Sequence, residues 1–253
     1  SSSRANIDIP KSQVDLLLEL KKTGKPIVVV LFTGRPLALT NIKDIPDAIL
    51  NVWFPGTEAG NAITDVLFGK VNPSGKLPMT FPRSLGQVPL YYNHKNTGRP
   101  LSADRTEKCE YDRFRSNFMD ECNTPLYPFG YGLSYTQFNY SDISVSNVNP
   151  TGNQTVQASV TVSNTGNYDG AEVVQLYIRD VVGTITRPVK ELKGFQKIFL
   201  KKGESKKVTF NISPEDLKFY NNSLKYDWEA GDFDIMIGAD SEQVKTLRIN
   251  WNK

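Results

Sequence analysis

The chain of 253 residues is poor in the residues that most chemistry needs. It has one histidine, two cysteines and three methionines. His94 has no cysteine or carboxylate partner at ligand spacing, so a zinc-type site is not expected. The G-x-x-x-x-G-K phosphate loop and the G-x-S-x-G nucleophile elbow are both absent from the sequence. A Ser–His–Asp triad would have to be built around a single histidine that no motif surrounds. No apolar run is long enough to span a bilayer. The net charge of +3, with both signs interspersed, is too mild for a nucleic-acid protein. No cofactor is expected.

What is present is organised in two halves. Pro10 suits a first helical turn. After it Val14, Leu17 and Leu18 share one face, widened by Leu16 and Leu20, and Gly24 ends the helix. Ile27 to Phe32 is an unbroken apolar run, which predicts a strand covered on both faces in a mainly parallel sheet. Ala48 to Phe54 predicts a second strand. Ala59, Ala62, Ile63, Val66 and Leu67 recur at helical spacing, with Thr57 as N-cap and Gly69 as C-terminal glycine. This order gives part of an open α/β layer, with too few strands for a complete doubly wound domain. From Asn72 onward Pro, Gly and polar residues dominate, and 83–127 reads as one long loop.

After Phe138 the period changes to two. Val156, Ala158, Val160 and Val162 alternate with polar residues, as do Val208, Phe210 and Ile212, and Phe233, Ile235 and Ile237. Short strands at this spacing predict an immunoglobulin-type sandwich of about seven strands. The fold class is therefore an α/β open sheet (residues 1–130) followed by an all-β sandwich (131–253). At the change lies LYPFGYGLSYTQF (126–138), whose glycines let the backbone turn and whose rings suit a packed joint better than a ligand wall.

Cys109 and Cys122 bracket a polar, aromatic loop. They are either two free buried thiols or a disulfide closing that loop. Nothing in the segment's periodicity buries them separately, which favours the disulfide and an oxidising compartment. Sequons at Asn139, Asn153, Asn211 and Asn221 carry little weight in a chain rich in Asn, Ser and Thr. Within the loop Tyr111, Arg113 and Phe114 stand beside Asp112, Arg115, Asp120 and Glu121. Rings and charged groups of this kind suit a sugar, but a surface loop braced by salt bridges is the plainer reading. The lysine-rich run 190–207 reads as sandwich turns and edges.

The stretches SSRANIDIPKSQVDLLLELKKTGKPIVVVLFTGRPL, WFPGTEAGNAITDVLFGKVNPSGKLPMTFPRS, VPLYYNHKNTGRP and TPLYPFGYGLSYTQF resemble the C-terminal half of glycoside hydrolase family 3. Within that family the likeness is to bacterial periplasmic β-glucosidases. VSNTGNYDGAEVVQLYIRD, RPVKELKGFQKIFLKKGE and YDWEAGDFDIMIGADS resemble its fibronectin type III-like domain. The resemblance implies a retaining glycosidase acting on a β-glucoside or oligosaccharide, in the periplasm or secreted. Its partner would be the N-terminal (β/α)₈ barrel of the same enzyme, and a homodimer is compatible with it.

Retention needs two carboxylates about 5–5.5 Å apart. The resemblance puts the nucleophilic aspartate on the barrel and the acid/base glutamate just upstream of Ser1. No catalytic residue is therefore expected in this chain, and Glu58 and Asp65 match no catalytic motif. Taken alone, the chain is expected to be inactive. The alternatives are a non-catalytic carbohydrate-binding or interaction module, a parent enzyme acting as a β-xylosidase, and a self-sufficient hydrolase using Asp112 and Asp120.

Overall fold

The computed structural model describes residues 4–253. They fold into two compact units that are discontinuous in sequence. The first comprises the chain up to Val71, Met79–Leu90 and Arg99–Tyr127, and the second comprises Asn72–Pro78, Tyr91–Gly98 and Pro128–Lys253. Two short segments of the first half, Asn72–Pro78 and Tyr91–Gly98, thus pack with the sandwich.

In the first unit, helix α1 (Lys11–Lys21) has Lys22 as its C-cap and runs into a turn that closes at Gly24, which takes φ +68° and donates to Lys21 O. Strand β1 (Val28–Leu31) pairs in parallel with β2 (Ala48–Asn51), Val28 opposite Ala48. The parallel pairing follows the expectation, but the double covering does not. Leu17 and Leu31 are buried, whereas Leu16, Leu18, Leu20, Val28 and Phe32 are exposed. Among the described residues the sheet has two strands, too few to close over an apolar run on both sides. β2 stops before Phe54 because Trp53 turns to φ +52°. Helix α2 (Ala59–Leu67) has Glu58 rather than Thr57 at its N-cap position. The Glu58 carboxylate accepts from Asn61 Nδ2 at 2.9 Å and caps no backbone donor. Gly69, at φ +74°, closes α2 by donating to Val66 O. The 83–127 segment is not structureless: it holds a 3₁₀ turn at Leu85–Gln87 and helix α3 (Ala103–Lys108).

The second unit is the sandwich. One sheet centres on β5 (Val156–Asn164). Along one side of it lie β3 (Phe138–Tyr140) and β4 (Ser144–Val145), and along the other β8 (Ser205–Ile212). The other sheet runs in the order β12 (Val244–Trp251), β11 (Gly231–Gly238), β6 (Gly170–Asp180), β7 (Glu191–Leu200), all antiparallel. A small hairpin, β9 (Phe219–Tyr220) with β10 (Tyr226–Asp227), completes the unit. Counting β3 and β4 as one interrupted edge gives the seven strands of the expected sandwich.

The alternating residues form the core. Val156, Ala158, Val160 and Val162 of β5, and Phe233, Ile235 and Ile237 of β11, are 0–1% exposed. Burying each Val, Ile or Phe among them contributes about 1.5–3 kcal/mol. Trp251 closes the core and donates Nε1–H to Gly152 O.

On the outer face of β6, Gln175 and Tyr177 are buried as well. Tyr177 packs edge-on to Tyr92, whose ring stacks on Phe129 at 4.3 Å. Gln175 donates to Gly130 O and Ala239 O and accepts from Tyr177 Oη. The aromatics of 126–138 are thus partly spent on covering this sheet. Gly130 is required there: it takes φ +82°, and a Cβ would lie 2.1 Å from Gln175 Oε1.

Candidate functional site

Residues 81–87 and 122–127 of the first unit run side by side and frame the aromatic loop. Phe81, 1% exposed, exchanges backbone bonds with Tyr127 and packs edge-on to Trp53 and Tyr127. One step along, Arg83 Nε donates to Thr124 O at 3.0 Å and Nη2 to Thr124 Oγ1 at 3.2 Å. At the far end Gln87, buried on the 3₁₀ turn, accepts from Arg83 N–H at 2.6 Å. Its Nε2 donates to Cys122 O at 2.7 Å and to Thr124 O at 3.2 Å. One buried amide thereby satisfies groups on both segments of the frame.

From this frame the loop projects. Cys122 is joined to Cys109 by a disulfide, with the Cα atoms 4.7 Å apart. Cys109 ends α3 in the left-handed region, φ +56°. The loop between them is scaffolded by polar groups. Asn117 accepts from Asp112 N–H and donates to Asp112 O and Arg115 O. Asp112 accepts from Phe114 N–H at 3.1 Å and lies 3.5 Å from Arg105. Asn123 fixes Phe118 N–H and Ser116 O. At the start of α3 the Ser102 hydroxyl holds the Asp104 carboxyl below the usual carboxylate range. Burial pushes the Tyr127 phenol up, with Asp44 adding to it.

Tyr111, Arg113 and Phe114 all sit on this loop. Phe114 is 71% exposed, Tyr111 is half exposed, and the Arg113 guanidinium lies 5.8 Å over the Phe114 ring. Rings presented this way can stack on the apolar face of a pyranose, and Arg113 offers donors to its hydroxyls. Asp112, by contrast, is occupied in shaping the loop, which does not suit a freely placed acid or nucleophile. Asp65 pairs with Lys70 at 3.0 Å. His94 is exposed, and its backbone oxygen accepts from Val189 N–H. Among the described residues no group of three or more His, Cys, Asp or Glu side chains could hold a metal ion, and no helix is long and apolar enough to cross a membrane. Gln87, Arg83 and Thr124 escaped the sequence reading, since an amide that bonds residues 35 positions away leaves no local pattern.

Residues 1–135 match the family model described as the glycosyl hydrolase family 3 C-terminal domain. Residues 172–241 match the fibronectin type III-like domain. The chain belongs to glycosyl hydrolase family 3. A periplasmic beta-glucosidase of Salmonella typhimurium is 56% identical over 97% of this chain and 31% of its own length. A putative beta-xylosidase of Formosa agariphila is 43% identical over 99% of this chain and 31% of its own. The crystal structure of a beta-glucosidase from Listeria innocua in complex with glucose superposes with a TM-score of 0.93 at 41% identity, over 99% of this chain and 34% of that one. The chain spans about a third of the length of the curated relatives it matches.

Proposed function

We propose that this chain is the C-terminal, non-barrel part of a retaining β-glucosidase that releases terminal, non-reducing β-D-glucosyl residues from oligosaccharides or glycosides. The observation that carries the reading is the likeness along the full chain to a β-glucosidase solved with glucose. In this reading both catalytic carboxylates lie outside the 253 residues. The nucleophile is on a (β/α)₈ barrel, and the acid/base glutamate is upstream of Ser1. The barrel is the partner the chain requires, and a homodimer is compatible with it. Residues 1–130 serve as the α/β part and 131–253 as a bracing sandwich. Loop 109–122 faces the leaving-group side of the substrate, where Tyr111 and Phe114 stack on a sugar and Arg113 bonds it. The enzyme works in the periplasm or outside the cell, where a disulfide persists.

The test is an assay of the 253-residue chain with a chromogenic β-glucoside. No turnover that survives repurification is expected, because nothing in the chain would stabilise the oxocarbenium-like transition state from the face opposite the leaving group. Turnover that copurifies with the chain through a second column contradicts the reading. The names of the Formosa agariphila relatives favour one second reading, a β-xylosidase parent. The ratio of kcat/KM for β-glucoside and β-xyloside in the protein carrying this chain decides between them.

A further inference from the structure

The aromatic loop has no core of its own. From Cys109 to Glu121 no residue is buried, and Tyr111, Phe114 and Met119 stand well out into solvent. The loop is held by the hydrogen bonds of Asn117, Asn123 and Asp112, the 3.5 Å contact with Arg105, and exposed backbone bonds such as Ser116 N–H to Arg99 O at 2.8 Å. Its N-terminal stem is α3, a helix of six residues. A helix that short does not hold itself together in water. Exposed hydrogen bonds without apolar burial are the signature of segments that open locally.

The C-terminal stem is different. Cys122 O and Thr124 O are both fixed by the buried Gln87 amide, which is itself fixed by Arg83 N–H. The Cys109–Cys122 bond is the cross-link that carries this rigidity directly to the end of α3, where the loop begins.

We propose that Gln87 and the Cys109–Cys122 disulfide are positioning residues for the leaving-group side of the substrate, so that the enzyme's grip on an aglycone follows the oxidation state of this pair. The inference rests on the reading of Tyr111, Arg113 and Phe114 given above. Release proceeds by thiol–disulfide exchange with a dithiol reductant. One thiolate attacks a sulfur of the pair, and the reductant's second thiol closes its own disulfide. Cys109 and Cys122 are left as two thiols. The two electrons and the two protons come from the reductant.

Two readouts separate the inference from the reading beneath it. The first needs no activity. Arg113 and Arg115 are exposed trypsin sites inside the disulfide loop. Peptide mapping of a trypsin time course compares four forms of the chain: oxidised, reduced with dithiothreitol and alkylated, Cys109→Ser/Cys122→Ser, and Gln87→Ala. Cleavage at these two arginines is expected to accelerate about tenfold or more in the last three, while sites in the sandwich are cut at unchanged rates. Equal rates at Arg113 and Arg115 in the oxidised and reduced forms overturn the inference. Reduction requires no substitution, so it decides the matter even if a variant fails to fold.

The second readout uses the enzyme carrying the chain. Reduction is expected to raise KM for a glucosyl disaccharide about threefold or more with kcat unchanged, and to leave β-glucosyl fluoride, which has no aglycone, unaffected. Reoxidation is expected to restore KM. An unchanged disaccharide KM overturns the redox dependence. If Tyr111→Ala and Phe114→Ala with the disulfide intact also leave that KM unchanged, the assignment of the loop to the leaving group fails, whatever the trypsin result.

Discussion

Lys76 Nζ lies 3.0 Å from Glu172 Oε1, and both side chains are largely out of solvent, at 13% and 5% exposed. Tyr140 Oη donates to the same carboxylate at 3.2 Å, and Lys76 also donates to Gly132 O. Burial, then the Glu172 charge, push the Tyr140 phenol up. The pair pins residues 72–78 to the start of β6. Removing one partner strands a buried charge, which costs about 3–5 kcal/mol. Lys76→Met is therefore expected to lower the urea midpoint of the sandwich strongly. Lys76→Met with Glu172→Leu is expected to recover much of the loss, because two apolar groups leave no charge unpaired. A double variant as unstable as the single one contradicts this account of the pair.

Asp180, at the end of β6, is 8% exposed and lies 3.5 Å from Arg187. Burial raises its carboxyl above the usual range, and Arg187 offsets only part of that. A folded-state value above the unfolded one means that stability is fully present below the unfolded value and is lost as pH rises through the folded one. Wild type is thus expected to lose stability relative to Asp180→Asn between about pH 3 and the raised value, then to level off. Urea midpoints of both proteins at pH 3, 5 and 7 measure this. A gap that stays flat, or that moves in favour of wild type with rising pH, contradicts it.

Gly132 faces backbone. A Cβ there would lie 2.3 Å from Gly75 O. The clash is with main chain rather than a mobile side-chain tip, so Gly132→Ala must separate 72–78 from 128–132. A loss of about 1–3 kcal/mol is expected from overpacking of this kind. A thermal midpoint of the sandwich transition within a degree of wild type contradicts the close approach.

The sandwich was legible because its signal is local. Each core strand alternates within itself, and Val156 to Val162 and Phe233 to Ile237 point where their period puts them. Helix α2 was legible for the same reason, but its cap was not: Thr57 and Glu58 are neighbours, and the choice between them depends on the angle at which the chain enters. The first strand misled the reading because an apolar run reports what the side chains prefer, not what this chain supplies to cover them. The candidate site was half legible. Tyr111, Arg113 and Phe114 stand out in composition, and the two cysteines mark the ends of their loop. Gln87 and the Lys76–Glu172 pair do not, since a buried polar contact between residues 35 or 96 positions apart leaves no mark in either local stretch.

Under the proposed function, the carboxylate that becomes glycosylated lies outside these 253 residues. A 2-deoxy-2-fluoro-β-glucoside with a good leaving group traps that intermediate, and peptide mass mapping of the protein carrying this chain then locates the sugar. The account expects every peptide of residues 1–253 to be recovered unmodified while the adduct maps elsewhere. An adduct on Asp112, Asp120 or any other acidic residue of this chain contradicts it.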